Sequence, residues 1–335
     1  MVKICFFGKL SDAFVKRDYD ILNNHFHVEM VEPPSKKHNW VKYPFIVAKK
    51  VKKCDLTFSW FAGWHSIFAV YFSKKFKKKS IVVAGGFDVV YLPEINYGAF
   101  TNFKERIPSK YVLKNADIVV SISKSNQKEL LEKIQPKDNI LIYNGVPVEN
   151  FSPGVFKKEK VAITVGGIKW SNMKRKGIET FVKAAQYLPN VPFIVIGKFV
   201  DNSIDYLKSI ASANVKFTGF VSDEDLLRWY QKAKVYVQAS AHEGFGITVA
   251  ESMLCECIPV VTDRFALPEV VGDLGFIVPY ENEELTAKTI EKVLDAPDEL
   301  GRKARERIKK NFSLKIREKK LLKLLILFRF CKFCK

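Results

Sequence analysis

Short β-branched apolar runs alternate with helical patterns along the whole chain, and this alternation constrains the fold more than any other feature. Candidate strands fall at 2–7, 55–60, 81–84, 117–121 and 139–143 in the first half, and at 161–165, 192–196, 215–218, 235–238, 258–262 and 276–278 in the second. Helical patterns, for example 178–188 and 223–233, lie between them. Strands spaced by helices predict parallel sheets built from βαβ units. The alternation pauses once, at 144–160, where Gly145, Pro147, Pro153, Gly154 and several charges mark a linker. The expected architecture is therefore α/β, with two Rossmann-like, doubly wound parallel-sheet domains facing a cleft, at 1–150 and 151–300. Such sheets take ligands outside the carboxyl ends of their strands. With 335 residues, 47% of them hydrophobic, the chain has material for two such cores.

Charge is the second constraint. The formal net charge is +19, and the excess sits at the ends. Residues 1–80 hold sixteen Lys/Arg against six Asp/Glu, and 301–335 hold fourteen against two. A lysine run such as 49–53 is often only a solvated face. Two strongly basic ends point further, to an anionic partner, either a membrane surface or a nucleic acid. No signal-peptide pattern is visible, and the apolar stretch 321–330 is short and interrupted by Lys323 and Arg329. The expectation is a cytoplasmic protein, peripheral on the inner face of the cell membrane. Packing on its own protein is favoured for the C-terminal helix up to Lys320, and the cation-punctuated tail 321–335 reads equally well as an interfacial segment. Cys5 and Cys255 suit reduced, small apolar side chains. Cys331 and Cys334 form a lone C-x-x-C without a second pair, which argues against zinc.

The stretch 235–263 is the most specific. A strand ends near Ser240, a loop carries Glu243-Gly244-Phe245-Gly246, a helix opens near Ile247, and Glu251 follows one turn in. Two glycines let the backbone approach a ligand, and the helix N-terminus presents N–H groups to an anion. Both carboxylates then point into one crevice. A capped helix with surface acids is the plainer alternative, but Gly-Phe-Gly is a poor choice for mere connection.

E-G-F-G-x-x-x-x-E followed by a Pro-Val-Val strand resembles the E-x7-E signature of the family 4 retaining glycosyltransferases of the GT-B fold. Tyr143-Asn144-Gly145-Val146, Val165-Gly166-Gly167, Lys176-Gly177, Val215 to Gly219 and Leu267 to Gly272 resemble further elements of that family, in the same order. The likeness is specific over 143–278 and architectural before it. It implies a nucleotide-sugar donor, no essential metal, and a terminal helix, 301–335, that crosses back to the first domain; a lipid-linked or envelope-polymer acceptor is the expectation drawn from the two basic ends at a membrane surface. It also implies roles. Glu243 lies beside the donor sugar and Glu251 binds the ribose. Backbone N–H groups of Phe245, Gly246 and Ile247 meet sugar or phosphate, and Lys176 contacts the diphosphate as charge grows on it. Phe220 and Val221 adjoin the nucleotide base. One departure matters: the family's Arg in V-G-R-L is Gly167 here. Arg175 is the preferred substitute cation and Lys169 the other candidate.

In the first domain Gly8 follows the first strand and is a candidate donor contact. His65 follows a strand end and is a candidate cleft residue, or a satisfied structural histidine. Asp88 is a candidate for orienting the acceptor hydroxyl, or a turn-stabilising aspartate. A sugar-nucleotide epimerase or a phosphorylase of the same fold is the alternative enzyme. A non-catalytic nucleic-acid-binding protein is the alternative of another class, disfavoured because Glu243 and Glu251 would repel phosphates. A dehydrogenase is disfavoured for want of G-x-G-x-x-G after a strand.

Overall fold

The computed structural model describes residues 2–330, so Cys331 and Cys334 lie outside the described residues. The chain forms two compact units, Met1–Gly145 with Lys315–Lys335, and Val146–Leu314.

The first unit carries strands β1 (Lys3–Phe7), β2 (His27–Val31), β3 (Leu56–Trp60), β4 (Lys79–Ala84), β5 (Ile118–Ser121) and β6 (Asn139–Leu141). Between them run helices α1 (Ala13–His25), α2 (Tyr43–Lys53), α3 (Trp64–Lys75), α4 (Phe103–Asn115) and α5 (Lys124–Lys133). The sheet is parallel throughout, in the order β2-β1-β3-β4-β5-β6. Its direction of winding reverses between β1 and β3, which pair Ile4 with Leu56 and Cys5 with Thr57.

The second unit carries β7 (Glu159–Val165), β8 (Phe193–Ile196), β9 (Val215–Gly219), β10 (Ala233–Gln238), β11 (Ile258–Thr262) and β12 (Phe276–Val278). Its helices are α6 (Trp170–Met173), α7 (Ile178–Ala184), α8 (Ser203–Ile210), α9 (Asp223–Lys232), α10 (Ile247–Leu254), α11 (Leu267–Val271), α12 (Glu283–Leu294) and α13 (Asp298–Phe312). From one edge the strands read β9-β8-β7-β10-β11-β12, again all parallel. In order of appearance that is 3-2-1-4-5-6, the dinucleotide-fold arrangement, with its switch point between β7 and β10.

Helices cover both faces of these sheets, so central strands have no polar face to show. Every residue of β3, β10 and β11 is buried, including the polar Thr57, Ser59, Lys234 and Gln238. Each expected strand is present, with the 139–143 candidate shortened to Asn139–Leu141. β2 is the one not expected. It is an edge strand, and only Val28 and Val31 are buried in it.

α13 stays with the second unit, burying Ala304, Ile308 and Phe312. The helix after it, α14 (Leu314–Phe330), belongs to the first. A buried ion pair fixes it there. Arg317 donates from Nε and Nη2 to the two oxygens of Asp18, at 2.6 Å each, with both side chains almost inaccessible. Its other terminal nitrogen reaches the carbonyls of Ile142 (3.0 Å) and Tyr143 (2.9 Å), and Trp60 Nε1 completes the Asp18 shell at 2.9 Å. In the tail that reads equally well as packed or interfacial, Leu321, Leu324 and Leu325 are buried, while Ile326 and Leu327 face outward. No helix among the described residues is long and apolar enough to cross a membrane.

Candidate active site

At the switch point of the second unit two loops leave neighbouring strands side by side. The loop after β7 leads through Gly166, Gly167 and α6 to Lys176; the loop after β10 leads through Ala239 to Gly246. Gly177 makes their contact possible. Its φ is +65°, and a Cβ there would lie 1.9 Å from the carbonyl oxygen of Ala239. Two residues on, Ala241 N–H donates to the Arg175 carbonyl at 3.0 Å. Only glycine allows the approach that sets Lys176 against the second loop.

The result is a contact between two of the expected residues. Lys176 Nζ donates to Glu243 Oε1 at 2.5 Å, and the side chains are 17% and 12% exposed. Ser240 Oγ donates to the same carboxylate oxygen at 3.2 Å and accepts from Gln238 Nε2 at 2.6 Å. Gln238 is itself held by Tyr236 Oη (2.8 Å) and Thr248 Oγ1 (3.2 Å), both donating to its Oε1. Burial alone would push the Glu243 carboxyl up. The charges of Lys176 and Arg175 and the lysine hydrogen bond outweigh it, so the group is held below the usual carboxylate range and is ionised at neutral pH.

Glu251 is buried one turn into α10. Burial pushes the Tyr236 phenol up, and the charges of Glu243 and Glu251 both add to the effect. One phenol therefore senses both acids of the E-x7-E pattern. Phe245 is buried, packing edge-on against Phe312 of α13 with ring centres 5.3 Å apart. Gly246, at φ +95°, opens α10, and Ile247 is its first residue. The first-turn N–H groups of that eight-residue helix have no intrahelical acceptor and carry its positive dipole end.

The cation candidates separate. Arg175 donates from Nε (3.1 Å) and Nη2 (2.7 Å) to Asn172 Oδ1, whose Nδ2 donates to the Gly167 carbonyl at 2.7 Å. Its charge acts on Glu243. Lys169 lies beside Asp201 and its charge acts there. A Cβ on Gly167 would meet only ordinary contacts at 3.9 Å, so space does not dictate glycine at that position. Phe220 (76% exposed) and Val221 follow β9, two strands from β7, and border an open depression with Asp225, Arg228 and Trp229. No contact joins them to the Lys176–Glu243 pair among the described interactions.

The first unit has its own switch point, at the carboxyl ends of β1 and β3. Gly8 is buried there, and a Cβ would press within 2.7 Å of Val15 Cγ1, so packing against α1 accounts for the glycine. His65, in the first turn of α3, is half-buried with Nε2 2.7 Å from the Trp60 carbonyl. Nε2 is then the donor, leaving the lone pair on Nδ1. Burial lowers its pKa, so the ring is neutral at pH 7. Asp88 accepts from the N–H groups of Ala62 (2.8 Å), Gly85 (3.3 Å) and Gly86 (3.0 Å), engaging both oxygens in loop closure. Burial raises it to about 6 against those hydrogen bonds. With Asp88 2% exposed and all three donors drawn from neighbouring loops, this is the turn-stabilising arrangement.

Sequence reasoning missed Gln238, Ser240 and Asn172. A signal existed for two of them: Gln238 ends a fully buried strand and Ser240 follows two residues on, where a buried polar side chain needs a partner.

The two units, their strand orders and the switch-point pair define a GT-B-type protein. A sequence profile of the family described as glycosyl transferases group 1 matches residues 145–313, and the chain belongs to that family. It is 26% identical over 220 residues to the serotype-specific mannosyltransferase WbdA of Escherichia coli, covering 58% of this chain and 26% of that one. Over 202 residues it is 27% identical to a Campylobacter jejuni protein, N-acetylgalactosamine-N,N'-diacetylbacillosaminyl-diphospho-undecaprenol 4-alpha-N-acetylgalactosaminyltransferase, covering 56% and 53%. The chain thus spans from a quarter to about half the length of these curated relatives. Among solved structures, Anabaena HepE in complex with UDP and glucose superposes with a TM-score of 0.78 at 17% identity, covering 97% of this chain and 99% of that one. The sucrose-phosphate synthase of Thermosynechococcus elongatus superposes with a TM-score of 0.80 at 17% identity over the whole of both chains.

Proposed function

We propose that this chain transfers a sugar, with retention of anomeric configuration, from a nucleoside-diphosphate sugar to a lipid-linked or envelope-polymer acceptor at an anionic membrane surface. The observation that carries the reading is the 2.5 Å contact between Lys176 and Glu243 at the β7/β10 switch point. As the glycosidic bond breaks, its electron pair leaves with the diphosphate, which gains one further negative charge. Lys176, Arg175 and the N-terminus of α10 supply the compensating positive charge; removing one such donor typically lowers kcat by about 10²–10³. Glu243, ionised and braced by Ser240, accepts hydrogen bonds from the donor sugar hydroxyls. Glu251 takes the ribose. Arg175 stands in for the cation that the family carries at the position of Gly167. Retention follows from same-face attack, with the leaving phosphate accepting the acceptor's proton. The positive charge is provided by protein groups, so no metal is needed, and EDTA should leave the rate unchanged.

The donor reading is supported by the UDP complexes of the HepE relative, and the acceptor reading by the undecaprenol-linked substrate in the name of the Campylobacter protein. A thermal-shift screen against nucleotide sugars tests it, because a ligand that binds the native state raises the melting temperature. The expected hit loses its effect in Glu251→Ala and Lys176→Ala. A panel that leaves the wild type unshifted would end the proposal.

A further inference from the structure

α2 is apolar on two sides, and only one of them is covered. Tyr43, Val47 and Val51, at four-residue spacing, are buried in the first unit. On the opposite side Phe45 is 76% exposed and Ile46 47%, and Val41, one turn before Phe45, is 75% exposed. Lysines share that outer face. Lys42, Lys49, Lys52 and Lys53 are exposed, and their spacing from Phe45 and Ile46 by three, four or seven residues keeps them on it. α2 packs against α3, whose outer side continues the pattern with exposed Tyr71, Lys74 and Lys75. Between Ser35 and Ser80 there are twelve lysines and a single acid, Asp55. Lys50 of α2 is paired with Glu29 of β2.

We infer that this face is where the protein lies on an anionic lipid bilayer, with Phe45, Ile46 and Val41 entering the headgroup–acyl boundary and the lysines meeting lipid phosphates. The inference rests on the membrane-surface reading above and gives that reading a definite element. Two other occupants fit the face less well. A second copy of this chain, related by a twofold axis, would set lysines against lysines. A nucleic acid would satisfy the lysines but gain nothing from projecting Val41 and Ile46. Exposed aliphatic and aromatic side chains inside a ring of cations are what an interfacial helix needs, since apolar burial and headgroup attraction then act together.

The test is co-sedimentation of the full chain with vesicles of phosphatidylcholine alone or with 30% phosphatidylglycerol. Three forms are compared: wild type, Phe45→Ser/Ile46→Ser and Lys49→Ala/Lys52→Ala. Binding should require phosphatidylglycerol. Each lysine near an anionic leaflet is worth about fivefold in affinity, so the lysine pair should weaken binding about 25-fold at low salt. The Phe45/Ile46 variant should weaken it at least tenfold, and by a similar factor in 0.5 M salt, where the lysine contribution is largely screened. All four positions are exposed or half-exposed, so melting temperatures should stay within a few degrees of wild type.

Equal binding to both vesicle types overturns the inference. So does full retention of binding by the Phe45/Ile46 variant while the lysine variant loses it, which would identify a merely electrostatic contact such as a nucleic acid makes. The nucleotide-sugar thermal shift separates this inference from the enzymatic reading. If the shift persists and vesicles are ignored, the docking face alone falls. If vesicles bind and the shift is absent, the catalytic proposal falls.

Discussion

Replacing Lys176 by alanine separates the structural from the catalytic work of the switch-point pair. The substitution leaves Glu243 ionised, about nine-tenths inaccessible, and without its 2.5 Å partner. Breaking a fully buried pair by removing one member costs about 3–5 kcal/mol. Here the charge of Arg175 and the hydroxyl of Ser240 remain, and some solvent reaches both side chains, so about 1–3 kcal/mol is expected from urea denaturation. The pH dependence weakens. In the wild type Glu243 is held low, so its contribution to stability is complete above the ordinary glutamate pKa and is lost as pH falls below about 4.5 through the depressed value. In Lys176→Ala the largest lowering influence is gone while that of Arg175 remains against burial, so the carboxyl is held low less strongly and the stability lost on acidification should be smaller than in the wild type. Adding Glu243→Gln should restore most of the lost stability, because no buried charge is then left alone, while activity stays down. Donor-hydrolysis or transfer kinetics should show kcat reduced about 10²–10³-fold. A Lys176→Ala protein with wild-type kcat, or one whose instability persists in the double variant, would refute the reasoning.

Three further outcomes follow from the same contacts. Gly177→Ala should destabilise by more than about 2 kcal/mol in urea melts and also lower kcat, because the added Cβ meets a backbone carbonyl and must push the Lys176 loop away. Arg317→Ala should cost about 3–5 kcal/mol, with hydrogen exchange showing early opening of α14 and the nucleotide thermal shift unchanged. Asp88 is raised to about 6, so its ionisation opposes folding; the wild type should lose stability relative to Asp88→Asn as pH rises from about 4 to 6, with no further change above, in paired thermal melts.

The sequence revealed most where burial was complete. β8 and β11 of the second unit could be read as apolar runs because strands covered on both faces leave no alternating signal to misread. β2 escaped because an edge strand buries only Val28 and Val31, and His27 and Glu29 break the run. In the site, Glu243, Lys176 and Glu251 were legible from spacing and from the family resemblance, since glycines mark the turns that carry them. The bracing of Glu243 through Ser240 and Gln238 depends on a register between loop and strand that no spacing encodes. Arg317 and Asp18 are 299 positions apart; in a segment with so many cations nothing singles out the one that is buried. The tail 321–330 was ambiguous for the opposite reason. Its leucines suit a membrane boundary and a protein core equally well, and only packing shows that three of them turn inward.

Titration calorimetry with a nucleoside diphosphate and with the matching nucleotide sugar addresses the account most directly. Lys176→Ala should weaken both ligands, since it meets the diphosphate they share. Glu243→Gln should weaken the nucleotide sugar yet leave the bare diphosphate unchanged or tighter, because Lys176 is freed from its carboxylate. If Glu243→Gln weakens both ligands alike, or neither, the carboxylate does not read the sugar and the site is not the one described.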